Sequence, residues 1–242
     1  MVIAIVAILA ALLLPALEQA RYQARVTSCA GRHRQMYLAT SMYVNDYTWC
    51  PPSCPQQGIG AHNLYRYYAP TGDLVGFAQG GLLWKLQYLA GKEVLLDPDW
   101  YCSGPANALN DYTNICINGQ VNWSGLEGAS GNGTVTGCYA FYGYRDPWNL
   151  GLCRKLEPVY ANGLKSTSLL QCRLGLRYSA PWETGGHDNR TMNSTHHDGH
   201  TVSLRGTEEA AGTYVLQNYD NEGCWFGFAT KSWWDWATEQ DQ

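Results

Sequence analysis

VIAIVAILAALLLPALEQARYQARVTSC, residues 2–29, is the stretch that decides the fold. Residues 2–17 carry no charge and no hydrogen-bonding side chain. At about 1.5 Å per residue they form a helix of roughly 25 Å, just short of the roughly 30 Å hydrocarbon core of a bilayer. A cleaved signal peptide would need a basic leading region, and a buried core helix would show a polar face. A membrane-embedded helix is therefore the favoured interpretation.

The helical signal continues beyond Pro15, although this proline is expected to kink the helix. Residues at alternating spacings of four and three form one face of the continuing helix: Tyr22, Val26, Cys29, His33, Met36, Thr40 and Tyr43. We therefore predict one helix over residues 1–46, apolar at first and amphipathic afterwards. It ends before Pro51 and Pro52, which cannot continue it.

These residues resemble the N-terminal helix of type IV pilin-like proteins, a family that includes the type II secretion pseudopilins. The resemblance lies in the apolar run, Pro15, the ALEQAR step at residues 16–21 and Cys29, and it is strongest to the large-headed planctomycete-type group. A prepilin cleavage site and a segment of the Phe-Thr-Leu-Ile-Glu-Leu type, both usual in the family, are missing ahead of Val2. We therefore expect the natural chain to begin further upstream.

The resemblance implies a structural protein rather than an enzyme. Its implied partners are identical subunits in a helical filament, a prepilin peptidase and the inner-membrane assembly machinery. Its implied location is the cell envelope, in the inner membrane before assembly and in an extracellular or periplasmic filament afterwards. The residues expected to form the assembly helix are Ile5, Leu9, Leu12, Leu13, Leu14, Pro15, Tyr22, Val26 and Met36.

The rest of the chain, residues 47–242, is predicted to be a single α+β head rich in antiparallel β-structure. The 26 glycines, 17 tyrosines and 10 tryptophans of the chain favour loops and strands over a helical bundle. The net charge of −4 argues against nucleic-acid binding, which needs a clustered basic surface.

Nine cysteines are scattered along the chain without any C-x-x-C spacing, which leaves zinc ribbons and thioredoxin-like sites unsupported. Their spread favours disulfides formed outside the cytoplasm, and the odd number leaves at least one outside any intrachain pair. The disulfide candidates are Cys29, Cys50, Cys54, Cys102, Cys116, Cys138, Cys153, Cys172 and Cys224.

Several local patterns in the head predict elements. An amphipathic helix is expected over Leu82–Leu89, capped at Gly91 and followed by a strand leading to Cys102. The Gly/Asn/Ser-rich residues 118–137 predict a long loop or a loose hairpin, and the residues that follow Cys138 alternate as a strand does. The clearest hairpin is TMNSTHHDGHTVSLRG, residues 191–206, with Asp198-Gly199 as a two-residue type I′ turn.

Histidines of this hairpin suggest a metal site. A late histidine followed by a spaced DGH recurs in the pilin-like group that the chain resembles, and His187 with residues 198–200 is similar to that signature. In a two-residue turn His197 and His200 share a face, so with His187 they could bind a metal, although a DG turn is useful without one. Calcium is a second option at Asp220, Asn221 and Glu222, since some related pseudopilins bind it in a C-terminal loop.

Tryptophans supply the alternative function, a membrane-anchored binding module that captures surface glycans and does not polymerise. The KSWWDW segment, residues 231–236, is its strongest feature, although large aromatic residues more often fill cores or subunit contacts. Nucleophile motifs and phosphate-binding loops are missing from the sequence. Glycosylation sequons at Asn122, Asn132, Asn189 and Asn193 predict exposed loops.

Overall fold

One continuous α-helix, α1, runs from Val2 to Tyr47 in the computed structural model of the chain. The helix has 46 residues, which confirms the predicted length, and it continues through Pro15. The helix ends where Thr48 adopts a left-handed conformation (φ 70°) and donates its N–H to the carbonyl oxygen of Val44 at 2.7 Å, just before the prolines. The structure describes residues 2–51, 63–67, 76–96, 112–114, 116–117, 120–121, 133–136, 139–141, 155–157, 159–161, 164–172, 187 and 191–205.

A four-stranded antiparallel sheet carries the amphipathic part of α1. Its strands are β7 (Tyr139–Phe141), β10 (Ser168–Cys172), β11 (Thr191–His196) and β12 (Thr201–Arg205), in the order β12-β11-β10-β7. The helix contacts β10, β11 and β12 of this sheet. A long helix against antiparallel strands confirms the predicted α+β class.

A second, mixed sheet has the order β2-β1-β6-β3. Its strands are β1 (Asn63–Tyr67), β2 (Gly76–Phe77), β3 (Tyr112–Asn114) and β6 (Gly133–Thr136). The pairing of β3 with β6 is parallel and the others are antiparallel. Two small hairpins complete the described strands: β4 (Cys116–Ile117) with β5 (Gln120–Val121), and β8 (Val159–Ala161) with β9 (Leu164–Ser166).

The short helix of the head begins and ends earlier than predicted. Helix α2 covers Gln79–Lys85, with Leu86 as its C-cap, rather than Leu82–Leu89. Leu89 still reaches the core, at 5% exposure, because the chain turns back at Gln87 (φ 64°) instead of continuing as helix. A 3₁₀ turn at Lys92–Leu95 follows, where a strand was expected.

The predicted hairpin is confirmed, but the predicted type of its turn is wrong. Thr195 pairs with Thr201, and the N–H of Gly199 donates to the carbonyl oxygen of His196 at 3.0 Å. Gly199 has a positive φ of 92°, whereas a type I′ turn would need one at Asp198 as well. The loop is thus three residues long, and the cross-strand neighbour of His200 is His196 rather than His197.

The core lies between α1, α2 and the strands. Fully buried apolar side chains from all these elements meet there, among them Met36, Leu83, Leu95, Leu169, Leu170 and Met192. Cys29 and Cys172 belong to the same core, with their sulfur atoms 3.1 Å apart. Disulfides were predicted for the head, and none joins two cysteines of the described ranges.

Gly81 permits the closest approach of α2 to β1. A Cβ atom on this residue would lie 2.1 Å from the carbonyl oxygen of Leu64, which is backbone and cannot rotate away. We expect Gly81→Ala to lower the free energy of unfolding by about 1–3 kcal/mol through overpacking. Thermal unfolding of the full chain in detergent would measure it.

Gly31→Ala is the matched control for this substitution. Gly31 lies inside α1 with no atom within 4 Å of its Cβ position, so alanine should raise the unfolding free energy by about 0.5–1 kcal/mol. Equal effects of the two substitutions would contradict the close approach at Gly81.

Candidate functional site

The first third of α1 presents apolar side chains on every side. Leu12 and Leu13 are 71% and 65% exposed, and Ile5, Leu9, Leu14 and Leu17 are exposed as well. This helix is long and apolar enough to cross a membrane, and no residue of its most apolar window is buried in the described structure. An apolar surface of this kind needs a cover, either lipid or protein.

The remaining two thirds of α1 bind the head through the predicted face. Val26, Cys29, His33, Met36, Ala39, Thr40 and Tyr43 are buried. Tyr22, Val26 and Met36 were expected to belong to the assembly surface, but the structure uses them inside the subunit. Val26 and Met36 are only 5% and 1% exposed, so their side chains are committed to the head.

Strand β11 lies under this face and is buried along its whole length, although five of its six residues are polar. Its odd-numbered residues bond to α1. Thr191 accepts a hydrogen bond from the hydroxyl of Tyr22 at 2.7 Å, and Asn193 donates to the carbonyl oxygen of Val26 at 3.0 Å. Asn193 is fully buried, so its sequon does not mark an exposed loop as predicted.

The third of these contacts joins Thr195 to His33, with 3.1 Å between Oγ1 and Nδ1. From Tyr22 to His33 the helix rises roughly 16 Å, and from Thr191 to Thr195 the strand advances roughly 13 Å. The similar spans allow helix and strand to run side by side in the same direction. Side chains at positions i, i+2 and i+4 of the strand therefore each meet a successive part of the helix.

A buried group of two cysteines and two histidines closes the contact between α1 and the sheet. We call it the Cys/His cluster, and its members are Cys29, His33, Cys172 and His187. Cys29 and His33 lie four residues apart on one face of α1, and Cys172 is the last residue of β10. All four are at most 2% exposed.

The sulfur of Cys172 lies at the centre of the cluster. It is 3.1 Å from the Cys29 sulfur, 3.5 Å from His33 Nε2 and 3.7 Å from His187 Nε2. The ligand atoms of Cys29, Cys172 and His187 all lie within 4.8 Å of one another. These are the atom types and spacings that a soft divalent metal uses.

The cluster favours a thiolate at Cys29. Burial by itself raises the pKa of this thiol, but hydrogen bonding to Cys172, the positive potential of His33 and a hydrogen bond from His187 outweigh it and hold the pKa well below its usual value. His187 is in a left-handed conformation (φ 57°), which is uncommon for a residue other than glycine. The Tyr22 hydroxyl, whose shorter contact is with Thr191, lies 3.3 Å from the carbonyl oxygen of His187 and helps to hold this conformation.

Tyr139 and Thr195 surround the cluster on its strand side. The ring of Tyr139 meets the His33 ring edge to face, with centroids 4.9 Å apart, and its hydroxyl donates to the carbonyl oxygen of Leu96 at 3.0 Å. Thr195 occupies Nδ1 of His33, so Nε2 is the nitrogen that points into the cluster. The ring is thus fixed in position and orientation.

The hairpin loop contacts α1 beyond the cluster. The hydroxyl of Tyr37 donates to the carbonyl oxygen of His197 at 3.2 Å, and a Cβ atom on Gly199 would lie 2.4 Å from the Tyr37 ring. Partial burial raises the pKa of Asp198, but hydrogen bonds from the backbone and ring of His200 outweigh it and lower the pKa. The Asp198 carboxylate thus binds His200 within the loop.

The structure places the three histidines of the predicted metal site in different surroundings. His187 belongs to the Cys/His cluster, whereas His200 is exposed and stacks on His196 with ring centroids 4.4 Å apart. Within the part of the chain that the structure describes, neither His197 nor His200 belongs to a group of closely spaced metal-binding atoms. The calcium option at residues 220–222 and the KSWWDW segment lie outside the described residues, as do Cys54, Cys102, Cys138, Cys153 and Cys224.

Sequence reasoning missed His33 and Cys172 as partners of His187. A signal for half of the cluster was present, because Cys29 and His33 are a cysteine and a histidine at i and i+4 on the predicted buried face. Nothing in the sequence pattern pairs this face with Cys172, since the sheet alone brings the two together. Comparisons with protein-family models, with curated proteins and with solved structures find no match for this chain.

Gly199 offers a test of the loop contact. We expect Gly199→Ala to lower the unfolding free energy by about 2–5 kcal/mol, because alanine adds roughly 1–2 kcal/mol of left-handed strain and about 1–3 kcal/mol of overpacking against Tyr37. In a Tyr37→Ala background the strain alone should remain, about 1–2 kcal/mol. A double-mutant cycle by chemical denaturation measures the difference, and identical costs in both backgrounds would refute the contact.

Proposed function

We propose that this protein is a pilin-like structural subunit that is anchored in a membrane by residues 2–17 and assembles into a filament through α1. The observation that carries the proposal is the contrast along one unbroken helix. Its first third is exposed and apolar, whereas its remainder is fixed to the head. A helix of this kind can hold a folded head outside a bilayer while its apolar end remains within it.

Membrane attachment, the more general part of the proposal, is supported by the exposed apolar surface of residues 2–17. Each exposed Leu, Ile or Val of residues 2–17 gains about 1.5–3 kcal/mol when it leaves water. Lipid and a neighbouring helix provide nearly the same gain, because both are apolar. The hydrophobic free energy of residues 2–17 therefore changes little when the helix moves from the membrane into a filament. Packing between neighbouring helices then decides whether the filament forms.

A second exposed apolar strip favours copies of this chain as the neighbours. Leu38 and Met42 are 61% and 56% exposed, four residues apart on α1, and beyond the membrane-length segment. A simple anchor does not require apolar residues there, whereas helices that stack in a filament do. The proposed contact between copies thus has an apolar part in residues 2–17 and a narrower continuation at Leu38 and Met42.

The double substitution Leu13→Asp with Leu14→Asp tests the proposal. Aspartate costs about 2.5–3.5 kcal/mol at the centre of a membrane helix and less towards the end, where Leu13 and Leu14 lie, and buried between helices it would lack a partner. We expect filaments to disappear from electron micrographs of cells that express the full chain. Circular dichroism of the purified variant should show an intact head, because both leucines are exposed and neither belongs to its core.

Leu38→Asp is the matched control, since it removes a leucine of similar exposure outside the membrane-length segment. It should leave the chain in the membrane fraction and weaken filaments without abolishing membrane attachment. Filaments that persist in the double variant would overturn the proposed role of α1. A wild-type chain that stays monomeric in the membrane and binds polysaccharide on a glycan array would support the alternative binding module instead.

A further inference from the structure

We propose that the Cys/His cluster binds a single zinc ion in a tetrahedral site with two sulfur and two nitrogen ligands. This inference concerns the junction of α1 with the head and does not depend on filament formation. The ligands come from three separate parts of the chain: α1, the end of β10 and the segment that precedes β11. A metal at this point would cross-link all three.

Three of the four proposed ligands have spacings that fit such a site: the ligand atoms of Cys29, Cys172 and His187 lie within 4.8 Å of one another. His33 Nε2 is close to Cys172 but outside that group, so it would move closer when the metal binds. With metal–sulfur bonds of about 2.3 Å and metal–nitrogen bonds of about 2.0 Å, a tetrahedron has S···N edges of about 3.5 Å and an S···S edge of about 3.8 Å. The two S···N distances from Cys172 are 3.5 and 3.7 Å. The S···S distance of 3.1 Å is shorter than the tetrahedral edge, and it lies well beyond the roughly 2.05 Å of a disulfide bond.

Charge balance also favours a divalent ion. Two thiolates and two neutral imidazoles around Zn²⁺ form a site of zero net charge, so the ion and the thiolates can be buried together at low cost. Binding would release the protons of thiols that are protonated beforehand.

Thr195 supplies the outer contact that metal-binding histidines use. A ligating imidazole usually hydrogen-bonds through its other ring nitrogen, which fixes its tautomer and orientation. Nδ1 of His33 lies 3.1 Å from Thr195 Oγ1, and Thr195 is itself held by Thr201 at 2.9 Å. Thr195 is therefore a positioning residue, and the cluster has an outer shell as well as ligands.

Metal content of the full chain, purified in detergent without chelators, is the first measurement. Elemental analysis should find one zinc per chain. After replacement of zinc by Co²⁺, the visible spectrum should show the bands of tetrahedral cobalt, with a near-ultraviolet thiolate-to-metal absorption from two sulfur ligands. This measurement uses the wild-type protein, so it does not depend on whether a variant folds.

Substitutions then assign the ligands. Cys172→Ser and His187→Gln should lose the cobalt spectrum, whereas Cys50→Ser, a buried cysteine outside the cluster, and His200→Gln should keep it. His33→Cys should retain the metal and increase the thiolate absorption, which a purely structural histidine could not do. Thr195→Val, with nearly the same shape, should weaken the affinity for Co²⁺ roughly 10- to 100-fold.

Three results would overturn the proposal. One is a wild-type chain that takes up neither zinc nor cobalt. Another is a Cys29–Cys172 disulfide in the isolated protein, detected as two sulfurs that resist alkylation until a reductant is added. The third is a cobalt spectrum that survives Cys172→Ser and disappears with His200→Gln.

Discussion

The docking of α1 on strand β11 is the contact on which the described structure depends. Five of the six residues of this strand are polar, and all are buried, so the strand is stable only where each polar group has a partner. The helix supplies partners on one face, through Tyr22, the Val26 carbonyl and His33. Neighbouring strands supply them on the other, where Ser194 bonds to Ser168 at 2.7 Å and His196 to Thr167 at 2.8 Å. Polar pairing of this kind fixes the register of helix and strand more strictly than apolar packing does, because a shift of one residue would leave buried groups without partners.

This fixed register separates the two ends of α1. The buried side chains between Val26 and Tyr43 are committed to the head of the same subunit, so they cannot also serve as contacts between subunits, whereas Leu38 and Met42 of this stretch remain exposed. The apolar end has no such commitment within the described structure. A single helix thereby meets two environments, and the boundary between them lies near the arginines that follow Leu17. In the proposed assembly, the head would remain fixed on α1 while the apolar end exchanged lipid for neighbouring helices.

Sequence patterns predicted α1 well because its signal is long and periodic. The stripe from Tyr22 to Tyr43 matched the buried face, and the prolines after Cys50 marked its end. Prediction was weaker where contacts of a few residues determine the position of an element. Helix α2 lies three residues earlier than expected at its start, since tight packing at Gly81 determines its position, and no periodicity records that contact. Of the Cys/His cluster, the sequence could indicate only the pair on α1, Cys29 and His33. Cys172 reaches the helix through the long-range pairing of β10 with β11, which no local pattern predicts.

The His…DGH pattern gains a physical meaning from this geometry. His187, its first part, lies in the Cys/His cluster beside α1, and the glycine of its second part packs against Tyr37 of the same helix. Between them, β11 bonds along the helix at every second residue. The pattern is therefore one continuous docking segment with a polar anchor at each end. The segment follows α1 from Tyr22, which contacts His187 and Thr191, to Tyr37, which contacts the loop, so an insertion within β11 would displace one anchor or the other.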